Sequence, residues 1–411
     1  MSKEVTFRMH KPLEGVRILE WGIFHAGPGG TAILCDMGAE VIKIEQPFTG
    51  DPSRTAIEYK DLDLRLPNGD SIFYIGANRG KKSITLDLAH PEGRQIAYNL
   101  VKKSDVFFTN LRRSTVSRMK MDYASLSRIN PRLIYASVTS YGPRGSDADG
   151  GGFDSQGQGR SGMMYSIGEP GMPPLLAQFG VIDQATAIMA SYQIVVAILM
   201  RERLGIGQEV DVSLLSTASY LLYYNNLIAL LTGREVPRHE QASADPLRNY
   251  YRCQDGKWII QNQPPGEEKW QTVCQLLGYP ELAKDPRFNS RHRRIKNSKE
   301  LVLIFNRAFA TKPREEWLRM FREKKLVMCA VNTTMEAVND PQMIENDYIV
   351  DFEHPNMGHV RIPGFPIHFS EAEVSNTIIV PKLGEHTDTV LKQIGGYSDE
   401  DIARLRKDKV I

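Results

Sequence analysis

Short apolar segments and longer amphipathic segments alternate along the first half of the chain. The apolar run VRILEW at residues 16–21 predicts a strand, residues 31–37 predict a helix, and EVIKI at residues 40–44 predicts a second strand. The alternation continues with predicted helices at 92–103 and 117–129 and predicted strands at 105–109, 133–138 and 209–212. Such alternation is typical of an α/β domain built on a doubly wound parallel sheet.

Two long apolar segments follow in the middle of the chain. Residues 185–200 are apolar on nearly every side, which predicts a helix buried in a large protein. A membrane span is not expected, because Gln184, Thr186 and Ser191 interrupt the apolar run. Residues 214–231 predict a second apolar helix. Asp183 stands immediately before the first of these helices, where a negative charge is favoured by the helix dipole, so position alone indicates a helix cap.

The character of the sequence changes after about residue 233. The stretch REVPRHEQASADPLRN is polar and contains prolines, as linkers do. Residues 250–253 and 257–261 flank the turn Gln254-Asp255-Gly256 and predict a β-hairpin, and helices around Trp270 and Trp317 follow. We therefore predict a large domain whose N-terminal part is 1–225, a smaller α+β domain at 226–335, and a return to the large domain at 336–411.

Charge and cysteine content exclude several classes of function. The 411 residues carry 51 basic and 49 acidic side chains, a net charge of +2, so no overall field favours nucleic acid or a membrane surface. The four cysteines have neither paired spacing nor a zinc pattern, which predicts free thiols in a reducing compartment and no metal site. The first residues, MSKEVTFRMHKP, lack an apolar signal core, and we expect a cytoplasmic protein.

A glycine-rich turn, HAGPGG, follows the first predicted strand. Its glycines are Gly27, Gly29 and Gly30, so the GxGxxG spacing of dinucleotide-binding turns is missing and a nicotinamide enzyme is disfavoured. A turn of this kind still lets a ligand approach the backbone and the N-terminus of a helix. His25 precedes these glycines, and its ring has either a ligand contact or a structural hydrogen bond.

Basic residues gather near two predicted strand ends, where open α/β sheets bind ligands. They are Arg79, Lys81, Lys82, Arg112, Arg113 and Arg118. Together they are suited to bind several phosphate groups, although a solvated charged face is the alternative for each of them.

A second carboxylate lies in the segment 145–162, GSDADGGGFDSQGQGRSG. We expect this segment to be a loop, because it is too rich in glycine for a regular element, and long loops are often functional. Asp154 in this loop is either a surface aspartate or a partner that converges on Asp183.

Sequence segments spread over nearly the whole chain identify a family resemblance. In order they are PLEGVRILEWG, AGPGG, DMGAEVIKIEQP, GDPSR, NRGKKSITLDL, INPRLIYASVTSYGPRG, RERLGIGQEVDVSLL and LGEHTDTVL. Each segment is modestly specific, but their order and spacing are highly specific. The chain resembles the class III coenzyme A transferases, of the formyl-CoA and carnitine-CoA transferase type.

The resemblance implies roles for individual positions. Asp183 matches the nucleophilic aspartate of the family, with Asp154 and His25 as further catalytic residues. The implied coenzyme A contacts are Ala26, Lys82 (near the adenine), Asn110, Leu111, Arg118, Met119 and Phe153. His25 stands where the formyl-CoA enzyme has a glutamine, and Gln46 stands where a basic adenine contact is common.

The resemblance also implies an architecture and an activity. The fold would be a Rossmann-like large domain built from both chain ends, with a small domain between them, and two subunits interlocked as a homodimer. The activity would be transfer of coenzyme A from an acyl-CoA thioester to a carboxylic acid through aspartyl anhydride and aspartyl-CoA intermediates. Coenzyme A thioesters are then substrates, and no permanently bound cofactor, metal, nucleic acid or membrane partner is expected.

Acceptor identity and reaction type leave alternatives open. The region near Asp245 lacks the triple-glycine loop of the formyl-CoA enzyme, which disfavours formate and oxalate. The GGFDSQGQGRSG loop and the C-terminal region instead resemble those of transferases for larger 2-hydroxy or aromatic acids, such as phenyllactate or hydroxyisocaproate. A 2-methylacyl-CoA racemase is one alternative, although Phe153 replaces the histidine of its GHDINY segment. An intramolecular transferase and a catalytically inactive coenzyme A-binding protein are the others.

Overall fold

The computed structural model describes residues 10–263 and 266–411, and contacts divide this part of the chain into two units. The first unit comprises the described residues up to Met164, together with Leu176–Arg234 and Glu345–Ile411. The second unit comprises Tyr165–Leu175 and Glu235–Ile344. The predicted boundaries at 225 and 335 fall before those of the structure, at 234 and 344, and the assignment of residues 165–175 to the second unit had no sequence signal.

Both units contain strands and helices. The strands are β1 Arg17–Trp21, β2 Glu40–Glu45, β3 Glu58–Tyr59, β4 Leu62–Asp63, β5 Lys82–Thr85, β6 Val106–Thr109, β7 Ile134–Thr139, β8 Gln208–Ser213, β9 Arg248–Arg252, β10 Trp258–Asn262, β11 Met328–Val331, β12 Ile349–His354 and β13 Gly358–Pro363. The helices are α1 Pro28–Asp36, α2 Ile72–Asn78, α3 Pro91–Val101, α4 Arg113–Arg118, α5 Tyr123–Leu126, α6 Asp154–Ser161, α7 Met163–Ser166, α8 Val181–Leu204, α9 Leu214–Leu221, α10 Tyr223–Thr232, α11 Glu267–Leu277, α12 Arg291–Lys296, α13 Ser298–Phe309, α14 Arg314–Glu323, α15 Thr334–Ala337, α16 Pro341–Glu345, α17 Thr387–Val390 and α18 Asp399–Lys407.

A six-stranded parallel sheet forms the centre of the first unit, which confirms the predicted α/β class. Its strand order is β5-β2-β1-β6-β7-β8. Counted within this sheet the order is 3-2-1-4-5-6, so the direction of winding reverses between β1 and β6, the point at which open sheets of this kind bind ligands. β6 (VFFT) is buried along its whole length because both faces of the sheet are covered. β5 and α2 had not been predicted.

Helix α8 packs closely on α1, and small residues make this approach possible. A Cβ atom added to Gly30 would lie 2.8 Å from the backbone oxygen of Ala187 and 2.8 Å from the Cβ of Ala190. Because neither atom belongs to a flexible side chain, a larger residue at position 30 would separate the two helices. The glycine therefore sets the distance between the turn that carries His25 and the helix that carries Asp183.

The second unit has its own core beneath a three-stranded antiparallel sheet of order β11-β10-β9. β9 and β10 pair across the turn at residues 254–256, which confirms the predicted hairpin. Trp270 and Trp317 lie fully inside this core, on α11 and α14. The segment 165–175 joins the unit through the Arg238 Nε atom, which donates to the Tyr165 carbonyl at 2.8 Å, and through the Tyr250 hydroxyl, which donates to Glu169 at 2.8 Å.

The prediction that residues 145–162 form a loop throughout was wrong, because α6 occupies their second half. The side chain of Gln156 accepts a hydrogen bond from the backbone N–H of Phe153 at 2.9 Å and caps the start of the helix. Gly162, at φ +89°, ends it. Gly157 lies against Ile182 and Leu214, so tertiary packing needs a small residue at a position where helix propensity alone disfavours it.

The single helix predicted at 117–129 was also wrong. The chain forms two short helices, α4 and α5, and Lys120 between them has a φ of +56°, which no α-helix allows. Asp122 then starts α5 by accepting a hydrogen bond from the Ser125 N–H at 2.9 Å. The helix predicted at 214–231 is likewise divided into α9 and α10, at Leu222.

Within the described residues, α8 is the one helix long and apolar enough to cross a membrane, judged by length and composition alone. Only 39% of the most apolar stretch of this helix is buried in the structure. Its other side exposes Ile188, Tyr192, Val195 and Leu199. Core helices of soluble proteins meet the same criterion. The exposed apolar side of α8 therefore indicates that something covers it, but it does not show whether the cover is protein or lipid.

Candidate functional site

A cleft of about 690 Å³ lies at the carboxyl ends of the central strands. Ile23 follows β1, Asn110 follows β6 and Ser140 follows β7, and all three line the cleft. The cleft therefore occupies the reversal point of the sheet, where strand ends diverge and leave space for a ligand.

Asp183 lines this cleft from the first turn of α8. The helix begins after Gly180, whose φ of +62° suits glycine. Gly180 occupies the N-cap position, and the helix has no hydrogen bond from a side chain at that position. Asp183 is thus the third residue of the helix and not its cap, which removes the structural explanation that its sequence position suggested.

Asp154 caps α8 in its place. One oxygen of Asp154 accepts hydrogen bonds from the backbone N–H groups of Ile182, at 2.6 Å, and Asp183, at 3.1 Å. Its other oxygen accepts from the side chain of Gln158. Asp154 does not line the cleft, and both of its oxygens are occupied, so its geometry is that of a group which positions Asp183.

The neighbourhood raises the pKa of Asp183 to about 7. Burial, which disfavours the charged form, is the main cause, and the negative charge of Asp154 adds to it. Asp149 also lines the cleft, but hydrogen bonding from Ser114 holds its pKa below the usual value. Of these two carboxylates in the cleft, only Asp183 has the raised pKa that is common in reactive carboxylates.

His25 and Ala26 form the adjoining wall of the cleft. The His25 Nε2 atom lies 2.7 Å from the side-chain oxygen of Gln184, which only accepts, so this contact is a hydrogen bond in the tautomer that carries its proton on Nε2. Burial lowers the pKa of His25, and the charges of Arg79 and Lys81 lower it further, against the effect of the Gln184 hydrogen bond. The neutral form of the imidazole is therefore favoured. Among the described residues, the backbone N–H of Ala26 has no hydrogen-bond partner.

Two exposed aromatic side chains line the cleft. The rings of Phe24 and Phe153 meet edge to face at a centroid distance of 6.4 Å, and their exposures are 39% and 66%. Leu111 continues this apolar wall. Exposed aromatic rings beside a carboxylate offer an apolar acyl or acid group a surface to bind.

The side chain of Asn110 binds the backbone of Ile23 at the edge of the cleft. Its side-chain oxygen accepts from the Ile23 N–H at 2.9 Å, and its side-chain nitrogen donates to the Ile23 carbonyl at 2.7 Å. Both polar atoms of the Asn110 side chain are thus already engaged. A contact with coenzyme A would use the hydrogen-bonding capacity that remains on these two atoms.

Three other implied coenzyme A contacts lie outside the cleft. Lys82 is the first residue of β5, at the amino edge of the sheet, and it pairs with Glu40 at 2.6 Å. Arg118 is an exposed residue at the end of α4, and Met119 packs against the hydrophobic core. Lys82 is excluded from the cleft because the two ends of a parallel strand face opposite edges of the sheet, and its contact near the adenine stays a prediction.

The basic segment at residues 79–82 is also not free to bind phosphate. Arg79 pairs with Asp36 at 2.6 Å, and Lys81 pairs with Glu20 at 2.7 Å inside the protein. Arg112 and Arg113, in contrast, both line the cleft. Arg113 approaches Asp211 at 3.4 Å, whereas no ion pair of Arg112 occurs within the described residues.

Thr139, Ser140 and Gln156 line the cleft and had not been predicted. Thr139 ends β7 and Ser140 follows it, so the strand-end rule that was applied to Arg112 and Arg113 would have found them as well. Gln156 had no comparable signal, because α6 itself was missed.

Comparisons with known proteins place nearly the whole chain within one family. A family model described as CoA-transferase family III matches residues 13–387. Succinyl-CoA:glutarate CoA-transferase of Mus musculus is 31% identical over 396 residues, covering 96% of this chain and 89% of the relative. Succinate–glutarate CoA-transferase of Agrobacterium fabrum is 33% identical over 392 residues, covering 93% of this chain and 96% of the relative. A crystal structure of a CAIB/BAIF family protein from Brucella suis superposes with a TM-score of 0.83 at 30% identity, covering 94% of this chain and 100% of the neighbour.

Proposed function

The chain belongs to CoA-transferase family III, and from this premise we propose that Asp183 is the nucleophile that carries coenzyme A between two carboxylic acids. The observation that carries the proposal is the raised pKa of Asp183, about 7, in a cleft that His25 and Ala26 also line, with the Ala26 N–H unpaired within the described part of the chain. A half-buried carboxylate of this kind is poorly solvated and therefore reactive once it is ionised.

The chemistry conserves the energy of the thioester. A carboxylate oxygen of Asp183 attacks the acyl carbonyl of the donor, and the C–S bond breaks, which gives a mixed anhydride and coenzyme A thiolate. The thiolate attacks the Asp183 carbonyl, and the first acid leaves as its carboxylate. The acceptor carboxylate then attacks the aspartyl-CoA thioester, and the released thiolate attacks the acceptor acyl group of the new anhydride. The products are the new acyl-CoA and free Asp183.

Each tetrahedral intermediate places negative charge on an oxygen that needs a donor. The Ala26 N–H is available for this bond, and the buried setting strengthens it. His25 is held by Gln184, and its neutral ring adds no charge that would bind the nucleophile as an ion pair. Exclusion of water is required, because the anhydride and the enzyme thioester are both open to hydrolysis.

We propose a medium-sized organic acid as the acceptor, either a 2-hydroxy or an aromatic acid. The aromatic edges of Phe24 and Phe153 support an apolar acid group. A dicarboxylic acid is the second candidate. Arg112 in the cleft favours it, since a guanidinium pairs well with a distal carboxylate, and two relatives are named for succinate and glutarate.

A screen of donors against acceptors tests these proposals. We expect the enzyme to form new acyl-CoA, read by mass spectrometry, from succinyl-CoA or an aryl-CoA with phenyllactate, hydroxyisocaproate or glutarate as acceptor. Arg112→Leu is expected to reduce turnover with glutarate more than turnover with phenyllactate, and Phe153→Ala is expected to do the opposite. Equal effects of each variant on both acids would refute the assignment of these side chains to acceptor selection.

Running the same reactions in deuterated water separates the transferase from the racemase. Deuterium at the α-carbon of the acyl-CoA, with no exchange of coenzyme A between acids, would contradict the proposed function and favour proton transfer. An intramolecular transferase would move coenzyme A from one carboxyl group to the other within a single diacid, and it would form no coenzyme A thioester of a second acid.

We also propose that the enzyme is a homodimer. Large apolar side chains on α9 and α10 are exposed in the single chain, including Tyr224 at 76%, Leu230 at 83% and Leu231 at 76%. Together with the open side of α8 they form an apolar surface of the kind that an obligate partner covers. Light scattering is expected to give twice the mass of one chain at all soluble concentrations, and a stable monomer would contradict the proposal.

A further inference from the structure

A network of buried ion pairs lies directly beneath the turn at residues 22–28. Three acidic and three basic side chains form it: Glu20, Glu45, Asp51, Lys43, Arg54 and Lys81. Glu20, Lys43 and Asp51 are at most 1% exposed. Lys43 bridges two of the acids, with its Nζ atom 2.9 Å from Glu20 and 2.9 Å from Asp51. Lys81 reaches the other oxygen of Glu20 at 2.7 Å, and Arg54 pairs with Glu45 at 2.7 Å.

Stability alone does not account for such a network. The desolvation of buried ions offsets most of their attraction, and apolar side chains of similar volume often stabilise a fold equally well. The arrangement therefore requires another explanation, and its contacts with the backbone supply one.

The network holds the turn at both of its ends. The Lys43 Nζ atom donates to the Gly22 carbonyl at 2.8 Å, and the Lys81 Nζ atom donates to the Pro28 carbonyl at 2.8 Å. Asp51 accepts from the Phe24 N–H at 3.2 Å, and Phe24 has a φ of +56°, which is unfavourable for a bulky residue. A strained residue of this kind persists only where its surroundings fix it.

His25 and Ala26 lie between these anchors. We propose that the buried ion network is a positioning device, which fixes the turn so that the Ala26 N–H and the His25 ring meet the reacting group on Asp183. This proposal rests on the proposed function, and it gives a role to the GDPSR segment, which contains Asp51 and Arg54 and has none in the cleft itself. Asp51 and Lys43 are thus positioning residues, since they act through the turn.

The double variant Lys43→Met/Asp51→Ala tests this role. It removes one positive and one negative charge together, so that no unpaired buried ion remains, and it removes the bonds to Gly22 and Phe24. We expect kcat to fall by about 10- to 100-fold, as displacement of a catalytic group by an ångström does. The KM for the acyl-CoA donor is expected to stay near the wild-type value, because the turn is proposed to meet the reacting group and not the bulk of the donor.

Loss of folded protein would also lower an apparent kcat, so turnover is normalised to active sites. Hydroxylamine traps the aspartyl-CoA thioester, and the fraction of chains modified at residue 183 counts the competent molecules. The matched control is Asp63→Ala/Arg65→Met, which removes an exposed ion pair (2.8 Å) of the same unit and is expected to change neither constant. If the double variant does not fold, Asp51→Asn, which keeps the shape of the side chain, takes its place.

Wild-type turnover per trapped site in the folded variant would overturn the positioning role while leaving the proposed function intact. Failure of the wild-type enzyme to form any adduct at residue 183 would instead refute the proposed function. The two failures are therefore distinguishable in one set of measurements.

Discussion

Replacement of Asp183 by alanine or asparagine is expected to abolish transfer of coenzyme A, with a loss in kcat of about 10⁴-fold or more, as for other covalent nucleophiles. Neither side chain forms the anhydride, and none of the other residues of the cleft supplies a carboxylate with a raised pKa. Incubation with acyl-CoA followed by hydroxylamine or borohydride is expected to modify residue 183 in the wild-type chain and to leave both variants unmodified, as measured by peptide mass spectrometry.

The matched control for this prediction is Asp149→Asn. Asp149 lines the same cleft, but it accepts a hydrogen bond from the Ser114 N–H at 2.9 Å, which an asparagine oxygen retains. We expect this variant to keep most of its turnover. Normal turnover by Asp183→Ala, which unlike asparagine cannot revert by deamidation, would refute the mechanism.

A stability measurement guards against loss of fold in the Asp183 variants. The pKa of Asp183 is about 7 in the folded protein and near 3.8 in an exposed carboxyl, so the folded chain binds this proton more tightly than the unfolded chain does. Its contribution to stability is therefore lost as pH rises from about 4 through 7. Asp183→Asn is expected to melt at a higher temperature than the wild type at pH 8, and the gain is expected to shrink toward pH 5.

Sequence patterns predicted the parts of this protein that depend on local periodicity. The strands β1, β2, β6, β7 and β8 and the long helix α8 follow from apolar runs, and the strand-end rule applied to Arg112 and Arg113 agrees with their position in the cleft. The family resemblance, and not the pattern, predicted Asp183 as the nucleophile, since its position suggested a cap.

The parts that were missed depend on contacts between distant segments. Helix α6 forms against propensity because Gly157 fits between Ile182 and Leu214, which lie far along the chain. Lys82 lies outside the cleft, because direction along a parallel strand decides which edge a residue occupies. The burial of Lys43 and Glu20 was not visible either, because each pairs with a side chain that the fold alone brings close.

The activity of the wild-type enzyme is expected to depend on pH with a midpoint near 7. Only the ionised form of Asp183 attacks a thioester, so kcat/KM is expected to fall by about tenfold for each pH unit below the midpoint. Asp154→Asn removes the nearby negative charge but not the burial, which is the larger cause of the raised pKa. We therefore expect the midpoint to move to lower pH and to stay above the ordinary value of an aspartate.

The same substitution is expected to lower the rate at the pH plateau. The side-chain nitrogen of Gln158 donates to both Asp154 and the Ala177 carbonyl, and its side-chain oxygen accepts from the Ala177 N–H at 2.9 Å. The amide group of Gln158 therefore cannot flip without losing these bonds. An asparagine at position 154 must therefore present its amide nitrogen either to Gln158 or to the N–H groups that start α8. One of these contacts becomes repulsive, and Asp183 shifts, at an expected cost of about 10- to 100-fold in kcat.

Combining Asp154→Asn with Gln158→Ala separates the two effects of Asp154. The second substitution removes the repulsive amide, so the plateau rate is expected to recover in part, whereas the midpoint stays at the lower pH because the charge is still absent. The measurement is kcat/KM from pH 5 to pH 9 for the single and double variants, with Asp149→Asn as the control whose midpoint remains near 7. A midpoint that does not move in Asp154→Asn would mean that burial alone raises the pKa of Asp183.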